Sequence, residues 1–141
     1  MSNLYKCILL LMISTITYGN TLKFSEKEFV KNLKVFAQNL TECKETNLEF
    51  KHPFTQELLE RQIGGMQNGK CLYIENMPGG GQMTCNFSKE YRIAVSKFIL
   101  EYAKKGSAER SVSNGSIKHK IGGREVENPF QSAFNHGICN I

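Results

Sequence analysis

His119 lies in the most basic part of the chain, between Lys118 and Lys120 and shortly before Arg124. A histidine among cations could serve as the acid or base in phosphodiester cleavage, because the cations would stabilise the phosphate. The wider segment, residues 89–124, holds nine Lys or Arg and three Glu. It is therefore also a candidate surface for an anionic polymer or membrane surface. Aromatic residues are not interleaved with these charges as a single-strand binder requires, so nucleic acid is not a favoured partner.

The other common catalytic constellations are missing from the sequence. All 13 acidic residues are glutamates, which excludes Ser-His-Asp triads and aspartate dyads. There is no G-x-S-x-G or H-E-x-x-H motif, and the histidines His52, His119 and His136 are far apart along the chain. His119 also lies in a stretch rich in Gly and Ser, which is a poor platform for precise chemistry. These features favour binding over catalysis. The alternative is a small secreted hydrolase, ribonuclease-like or acting on the cell wall, that uses His119 or a glutamate.

Residues 1–19 have the pattern of a secretory signal peptide. Lys6 precedes a short apolar run, and small residues follow just before Asn20, so we expect cleavage near Gly19–Asn20. The run is too short to span a membrane, and no later stretch is apolar enough to do so. The predicted product is a single small domain, residues 20–141, that is secreted or periplasmic and has no transmembrane anchor. The net charge of +5 loses one unit with Lys6.

The cysteine count changes when the signal peptide is removed. Cys7 lies within the apolar run and is discarded with it, which leaves an even number of cysteines. An even count in a small exported chain is typical of two disulfides. No C-x-x-C pair or close Cys/His cluster indicates a zinc site, and we predict neither a metal nor a cofactor. The four remaining cysteines are Cys43, Cys71, Cys85 and Cys139.

The stretch KCLYIENMPGGGQMTC, residues 70–85, has the pattern of two strands joined by a glycine-rich turn. If Cys71 lies opposite Cys85, Tyr73 faces Met83 on the same side of the hairpin. Directly opposed residues in antiparallel strands can have Cα atoms about 4.5 Å apart, within the range of a disulfide. This register predicts the bonds Cys71–Cys85 and Cys43–Cys139.

The turn of this hairpin is the second candidate binding site. Met77 and Pro78 would be apolar groups at an exposed tip with few contacts to the core, on a rigid hairpin. Gly79, Gly80 and Gly81 can adopt the positive φ angles that a tight turn requires. A nucleotide loop is disfavoured, because the glycines lead into a strand and no Lys follows them.

The hydrophobic spacing predicts the elements that position these sites. Helices are expected at residues 26–40, with Ser25 as N-cap; from Ser88 to Gly106; and after Asn128, ending at Gly137. Strands are expected in NLEFKH, KCLYIEN and QMTCNF. TQELLERQIGGMQ is ambiguous, because Glu57 to Arg61 could be helical, but its glycines and the turn at Asn68-Gly69 favour a strand. Residues 107–127 are polar and are expected to form a loop, with one small hairpin as the alternative.

The predicted fold class is α+β. It comprises an N-terminal helix, an antiparallel sheet of three to four strands, a second long helix packed on the sheet and a short C-terminal helix, stabilised by disulfides. The expected function is binding another protein, or an anionic polymer or surface, through the hairpin tip or the basic segment. Inhibition of another enzyme by insertion of the tip is a further alternative.

Overall fold

The computed structural model describes residues 26–52, 55–105, 108–113 and 116–141. The candidate signal peptide and the Ser25 N-cap lie outside the described residues. The three helices predicted from the sequence are confirmed. They are α1 (Glu26–Glu42), α2 (Lys89–Lys105) and α3 (Pro129–Asn135).

The starts of α2 and α3 follow from local hydrogen bonding. The Ser88 hydroxyl accepts a hydrogen bond from the backbone N–H of Tyr91 at 3.5 Å, and the Asn128 side chain accepts one from the N–H of Phe130 at 3.0 Å. Each bond satisfies a helical N–H that has no partner within the helix. Just beyond α3, Gly137 has a φ of 66°, a left-handed conformation that ends a helix at little cost for glycine.

The described strands form two antiparallel sheets. The main sheet has the order β1-β2-β3-β4-β8 and the smaller sheet has the order β5-β6-β7. The main sheet contains the four predicted strands together with β8, a two-residue strand that the sequence did not predict. The strands are β1 (Thr46–Lys51), β2 (Leu58–Gln67), β3 (Lys70–Asn76), β4 (Gln82–Phe87), β5 (Ala108–Ser113), β6 (Ser116–Ile121), β7 (Arg124–Val126) and β8 (Cys139–Asn140).

A bulge in β2 explains its glycine pair. Ile63 lies opposite Tyr73, but the next aligned residue of β2 is Met66, so β2 contains one extra residue here. Gly65 takes a φ of 79°, and a Cβ added at Gly64 would lie 2.7 Å from Cδ2 of Leu72. The bulge therefore needs glycine at position 65 for its conformation, whereas a side chain at position 64 would require the end of the Leu72 side chain to shift.

The core lies on one face of the main sheet, against the helices. Tyr73 is fully buried at its centre, with ring centroids 5.4 Å from Phe87, 5.6 Å from Phe130 and 6.2 Å from Phe36. These contacts join β3 and β4 to α1 and α3, and offset or edge-to-face aromatic pairs add to the stabilisation that burial provides. The other buried members of the core include Leu33, Ala37, Leu40, Leu48, Ile63, Met83, Val95 and Ile99.

The segment 107–127, predicted as a polar loop, instead contains all three strands of the smaller sheet. Six residue pairs connect β5 with β6 and three connect β6 with β7. The alternative of one small hairpin is therefore closer to the structure than a loop, but it lacks the third strand. Ile121 is buried and fixes which side of β6 faces inwards. The apolar residues of this stretch, Val112, Ile117, Ile121 and Val126, are sparse among polar ones, and such a weak pattern is why the sequence did not predict these strands. Residues 107, 114 and 115 lie outside the described part of the chain.

The predicted disulfide pairing is wrong. The bonds are Cys43–Cys71 and Cys85–Cys139. The first ties the residue after α1 to β3. The second links two residues that lie directly opposite each other on β4 and β8, with Cα atoms 4.1 Å apart.

The error came from the register of the β3–β4 hairpin. Asn76 pairs with Gln82, so Tyr73 lies opposite Cys85, and Cys71 lies opposite Phe87. Cys71 and Cys85 are therefore diagonal neighbours, whose Cα atoms are typically about 7–8 Å apart and too far for a disulfide. The turn occupies residues 77–81, where the N–H of Met77 donates to the carbonyl of Gly81.

Candidate binding surface at one end of the main sheet

The β3–β4 tip contacts the connection between β1 and β2. The backbone N–H of Gly79 donates a hydrogen bond to Oε2 of Glu57 at 3.2 Å. Glu57 directly precedes β2, and Gly79 lies in the turn after β3, so this bond joins two loops at the same end of the sheet. Because the two loops are joined, they form one surface.

Hydrogen bonds around His52 link the described parts of the β1–β2 connection, residue 52 and residues 55–57. The N–H of His52 donates to the carbonyl of Glu57 at 2.8 Å, and the N–H of Gln56 donates to the carbonyl of His52 at 3.0 Å. The N–H of Thr55 donates to Nδ1 of His52 at 3.2 Å, which requires an unprotonated Nδ1. Burial lowers the pKa of His52, and although the carboxylates of Glu75 and Glu57 oppose that shift, nearby Arg61 reinforces it. The neutral ring matches its role as an acceptor.

A polar network lies behind these loops, on the core side of the sheet. Arg61 donates to both carboxylate oxygens of Glu75, from Nε at 3.0 Å and from an Nη at 3.3 Å. The hydroxyl of Tyr73 donates to the same carboxylate, and the guanidinium lies 3.8 Å from the ring centroid of Phe50. The carboxylate therefore receives three hydrogen bonds, which is how a nearly buried charge is accommodated.

The burial of this network changes the acidity of its members. Burial raises the pKa of the Tyr73 phenol well above its usual value, and the Glu75 carboxylate adds to the effect, against the opposing charge of Arg61. Burial alone would lower the pKa of Arg61, but Glu75 and Tyr73 outweigh it and the net direction is upward. Arg61 thus remains a cation and Tyr73 a neutral donor at physiological pH.

Sequence reasoning missed this network although a signal was present. Cys71, Tyr73 and Glu75 occupy every second position along β3, so all three side chains face the same side of the sheet. A glutamate on the core face needs a cationic partner. Arg61 is directly opposite it on β2.

The tip is less exposed than the sequence predicts. Met77 is half-buried and packs against the core, and Pro78 is also half-buried, so the expectation of few core contacts is wrong for Met77. The glycines are exposed, and Gly79, Gly80 and Gly81 have φ angles of 76°, 102° and 89°. Three successive residues with positive φ angles thus form the turn, a conformation that glycine adopts at little cost.

Two exposed apolar residues lie at the same end of the main sheet as the tip. Leu58 begins β2 beside Glu57 and is 57 % exposed, and Ile141 follows β8 and is 78 % exposed. A Cβ added at Gly81 would lie 3.8 Å from Cγ2 of Ile141, which places Ile141 next to the turn. We call this set the tip surface. It comprises Glu57, Leu58, residues 77–81 and Ile141.

The structure places the predicted basic residues on the smaller sheet, away from the strands that carry the tip. Lys118 forms an ion pair with Glu125 at 3.0 Å, and Lys120 lies opposite the same glutamate on β7. Lys120 and Arg124 are exposed. A carboxylate next to both lysines weakens the positive field that an anionic ligand would experience.

His119 contacts two neighbouring elements, one through a ring nitrogen and one through an aromatic ring contact. Its Nε2 lies 3.3 Å from the side-chain amide nitrogen of Asn128, the cap of α3. Its ring meets Phe98 of α2 edge to face, with centroids 6.4 Å apart. The imidazole thus connects β6 with α2 and α3. His136, at the end of α3, lies with Nδ1 2.8 Å from the carbonyl of Ser132.

Within the described residues, no group of three or more His, Cys or Glu side chains is arranged to hold a metal ion. None of the described helices is long and apolar enough to cross a membrane. Two disulfides are typical of proteins that work in an oxidising, extracytoplasmic environment.

Searches with family models, against curated proteins and against solved structures each gave no match to this chain.

Proposed function

We propose that this chain is a small exported binding protein whose tip surface docks onto another protein. The observation that carries the proposal is the hydrogen bond between Gly79 and Glu57. It joins two loops into one platform beside two exposed apolar side chains, Leu58 and Ile141. Rigid loops that present apolar groups are a common way for small domains to bind protein partners.

Rigidity supports this assignment because an ordered surface loses little entropy on binding. Met77 anchors the turn to the core. The Cys85–Cys139 bond holds β8, and with it Ile141, beside β4. The Arg61–Glu75 pair fixes β2 against β3 immediately behind the tip. The apolar groups are thus presented from a fixed framework.

Export is supported by the disulfides together with the pattern of residues 1–19. The partner would accordingly be a protein of the same extracytoplasmic compartment or at its boundary. Lys118, His119, Lys120 and Arg124 remain a predicted second contact surface for an anionic polymer or surface. The ion pair of Lys118 with Glu125 makes that surface the weaker candidate.

The chain offers a matched pair of variants to test the tip surface. Leu58 and Met66 are similarly exposed, at 57 % and 53 %, and lie near opposite ends of β2. The mature protein would be immobilised and incubated with extracts of its own extracytoplasmic compartment, and bound proteins quantified by mass spectrometry. We expect Leu58→Ser and Ile141→Ser to weaken capture of a specific partner about tenfold or more, as for an apolar hot spot. Met66→Ser should leave capture unchanged. Equal loss with Met66→Ser, or capture insensitive to all three variants, would refute the proposed surface.

A further inference from the structure

β1 is an outer strand of the main sheet. Among the described strands it pairs only with β2, through six consecutive residue pairs from Thr46 to Lys51 without a bulge. The opposite outer strand, β8, has only two residues, and short edges are a common protection against unwanted pairing. β1 therefore presents the longer and more regular edge, with a row of backbone N–H and C=O groups directed away from β2.

A groove runs along this edge between β1 and α1. Its volume is about 380 Å³. Phe36 and Leu48 form its buried floor, while Val35 remains 46 % exposed on the helix side. The hydrogen bond from Asn39 to the hydroxyl of Thr46, at 2.9 Å, connects its two walls near one end. The lining residues are Asn32, Val35, Phe36, Thr46, Asn47, Leu48 and Glu49.

We propose that this groove binds an extended segment of a partner protein, which adds to the main sheet as a strand beside β1. The strand edge would supply backbone hydrogen bonds, and alternate side chains of the segment would face Val35 and the groove floor. A groove between a helix and an outer strand is suited to this mode, in which backbone pairing gives affinity and side-chain pockets give specificity. This surface is distinct from the tip surface, because it uses the outer edge of β1 and α1.

The groove also specifies the chemistry of the segment. Glu49 is the one ionisable residue among the described lining residues, so a Lys or Arg of the segment is favoured beside it. The positions that face Val35 should be small and aliphatic, because the groove is shallow and its floor is apolar. A second copy of this chain fits less well. Two β1 strands paired edge to edge would bring two α1 helices side by side, and Lys31 and Lys34 are exposed next to Val35.

The test uses a hexapeptide, acetylated and amidated at its ends, in which valine alternates with threonine and lysine. Binding to the mature protein would be followed by NMR amide shifts and hydrogen exchange. We expect saturable binding, with slower exchange in residues 46–51. Two N-methylated versions supply an internal control, because alternate amides of an extended peptide point to opposite edges. The version methylated at amides that face β1 should lose binding, and the version methylated at amides that face away from β1 should retain it.

Protein variants locate the site. Val35→Gln should weaken peptide binding about tenfold, the loss expected for one valine-sized apolar contact. Glu49→Gln should weaken the lysine-containing peptide but not a version with threonine in place of lysine. Thr41→Gln, exposed on α1 but outside the groove lining, should have no effect.

Absence of binding at millimolar peptide, or equal loss with both methylated peptides, would overturn the proposal. So would concentration-dependent dimerisation that Val35→Gln abolishes, since the groove would then join two copies.

Discussion

Arg61 and Glu75 lie directly opposite each other on β2 and β3, and Nε of the guanidinium is 3.0 Å from the carboxylate. The pair is close to buried, with 15 % and 12 % of the side chains exposed. Buried pairs often add little to stability compared with apolar residues, but removing one partner is costly because it leaves an unpaired charge. We therefore expect the pair to contribute mainly to specificity, because only the native register of β2 and β3 joins the two charges.

A double-mutant cycle tests this role. We expect Arg61→Met alone to lower the free energy of unfolding by about 3 kcal/mol, since Glu75 is then buried without its cation. The double variant Arg61→Met with Glu75→Leu should recover at least half of that loss. Urea denaturation of the three variants measures the coupling. If the double variant is as unstable as the sum of the single variants, the two charges do not act as a pair.

The sequence predicted the helices and the central strands because these depend on local patterns. Ser88 and Asn128 are caps that act within a few residues, and the capped helices begin where expected. The disulfide pairing depended on the hairpin register, and a turn displaced by one residue moved Tyr73 opposite Cys85. Strand β8 and the tip contact of Glu57 join residues distant in sequence, and no local pattern encodes such contacts.

Alkaline pH should destabilise the protein through Tyr73. Its pKa is raised in the folded state by burial and by Glu75, so the folded state holds the phenolic proton more tightly than the unfolded state, where the pKa is about 10. The resulting contribution to stability is fully present below about pH 10 and is lost as the pH rises further. Tyr73→Phe should therefore lose less stability than the wild type as the pH rises above about 10. Tyr91→Phe is the control for loss of a hydroxyl. Parallel pH curves for wild type and Tyr73→Phe would contradict the expectation.

The observed disulfides predict which crosslinked peptides the protein should give. Non-reducing peptide mapping should give Cys43–Cys71 and Cys85–Cys139 and leave none of these four cysteines alkylatable without reduction. The bonds span 28 and 54 residues, so the chain-entropy model assigns them about 3.5 and about 4 kcal/mol.

Replacing either pair by alanine should lower the free energy of unfolding by up to these amounts, and loss of Cys85–Cys139 should also speed amide exchange in β8. A Cys71–Cys85 peptide would contradict the hairpin register described above.

Met77 and Leu58 lie near the same end of the sheet but should respond differently to replacement by serine. Met77 is half-buried against the core, so Met77→Ser removes packed apolar area and should lower the free energy of unfolding by about 1–2 kcal/mol. Leu58 is 57 % exposed, so Leu58→Ser should stay within about ±0.5 kcal/mol. Thermal and urea unfolding of both variants measures the difference.

If the proposed tip surface binds a partner, Leu58→Ser weakens binding at unchanged stability, whereas Met77→Ser weakens both binding and stability because it loosens the turn. Equal destabilisation by the two variants would show that Leu58 is part of the packed framework. The exposed apolar edge of the surface would then be reduced to Ile141.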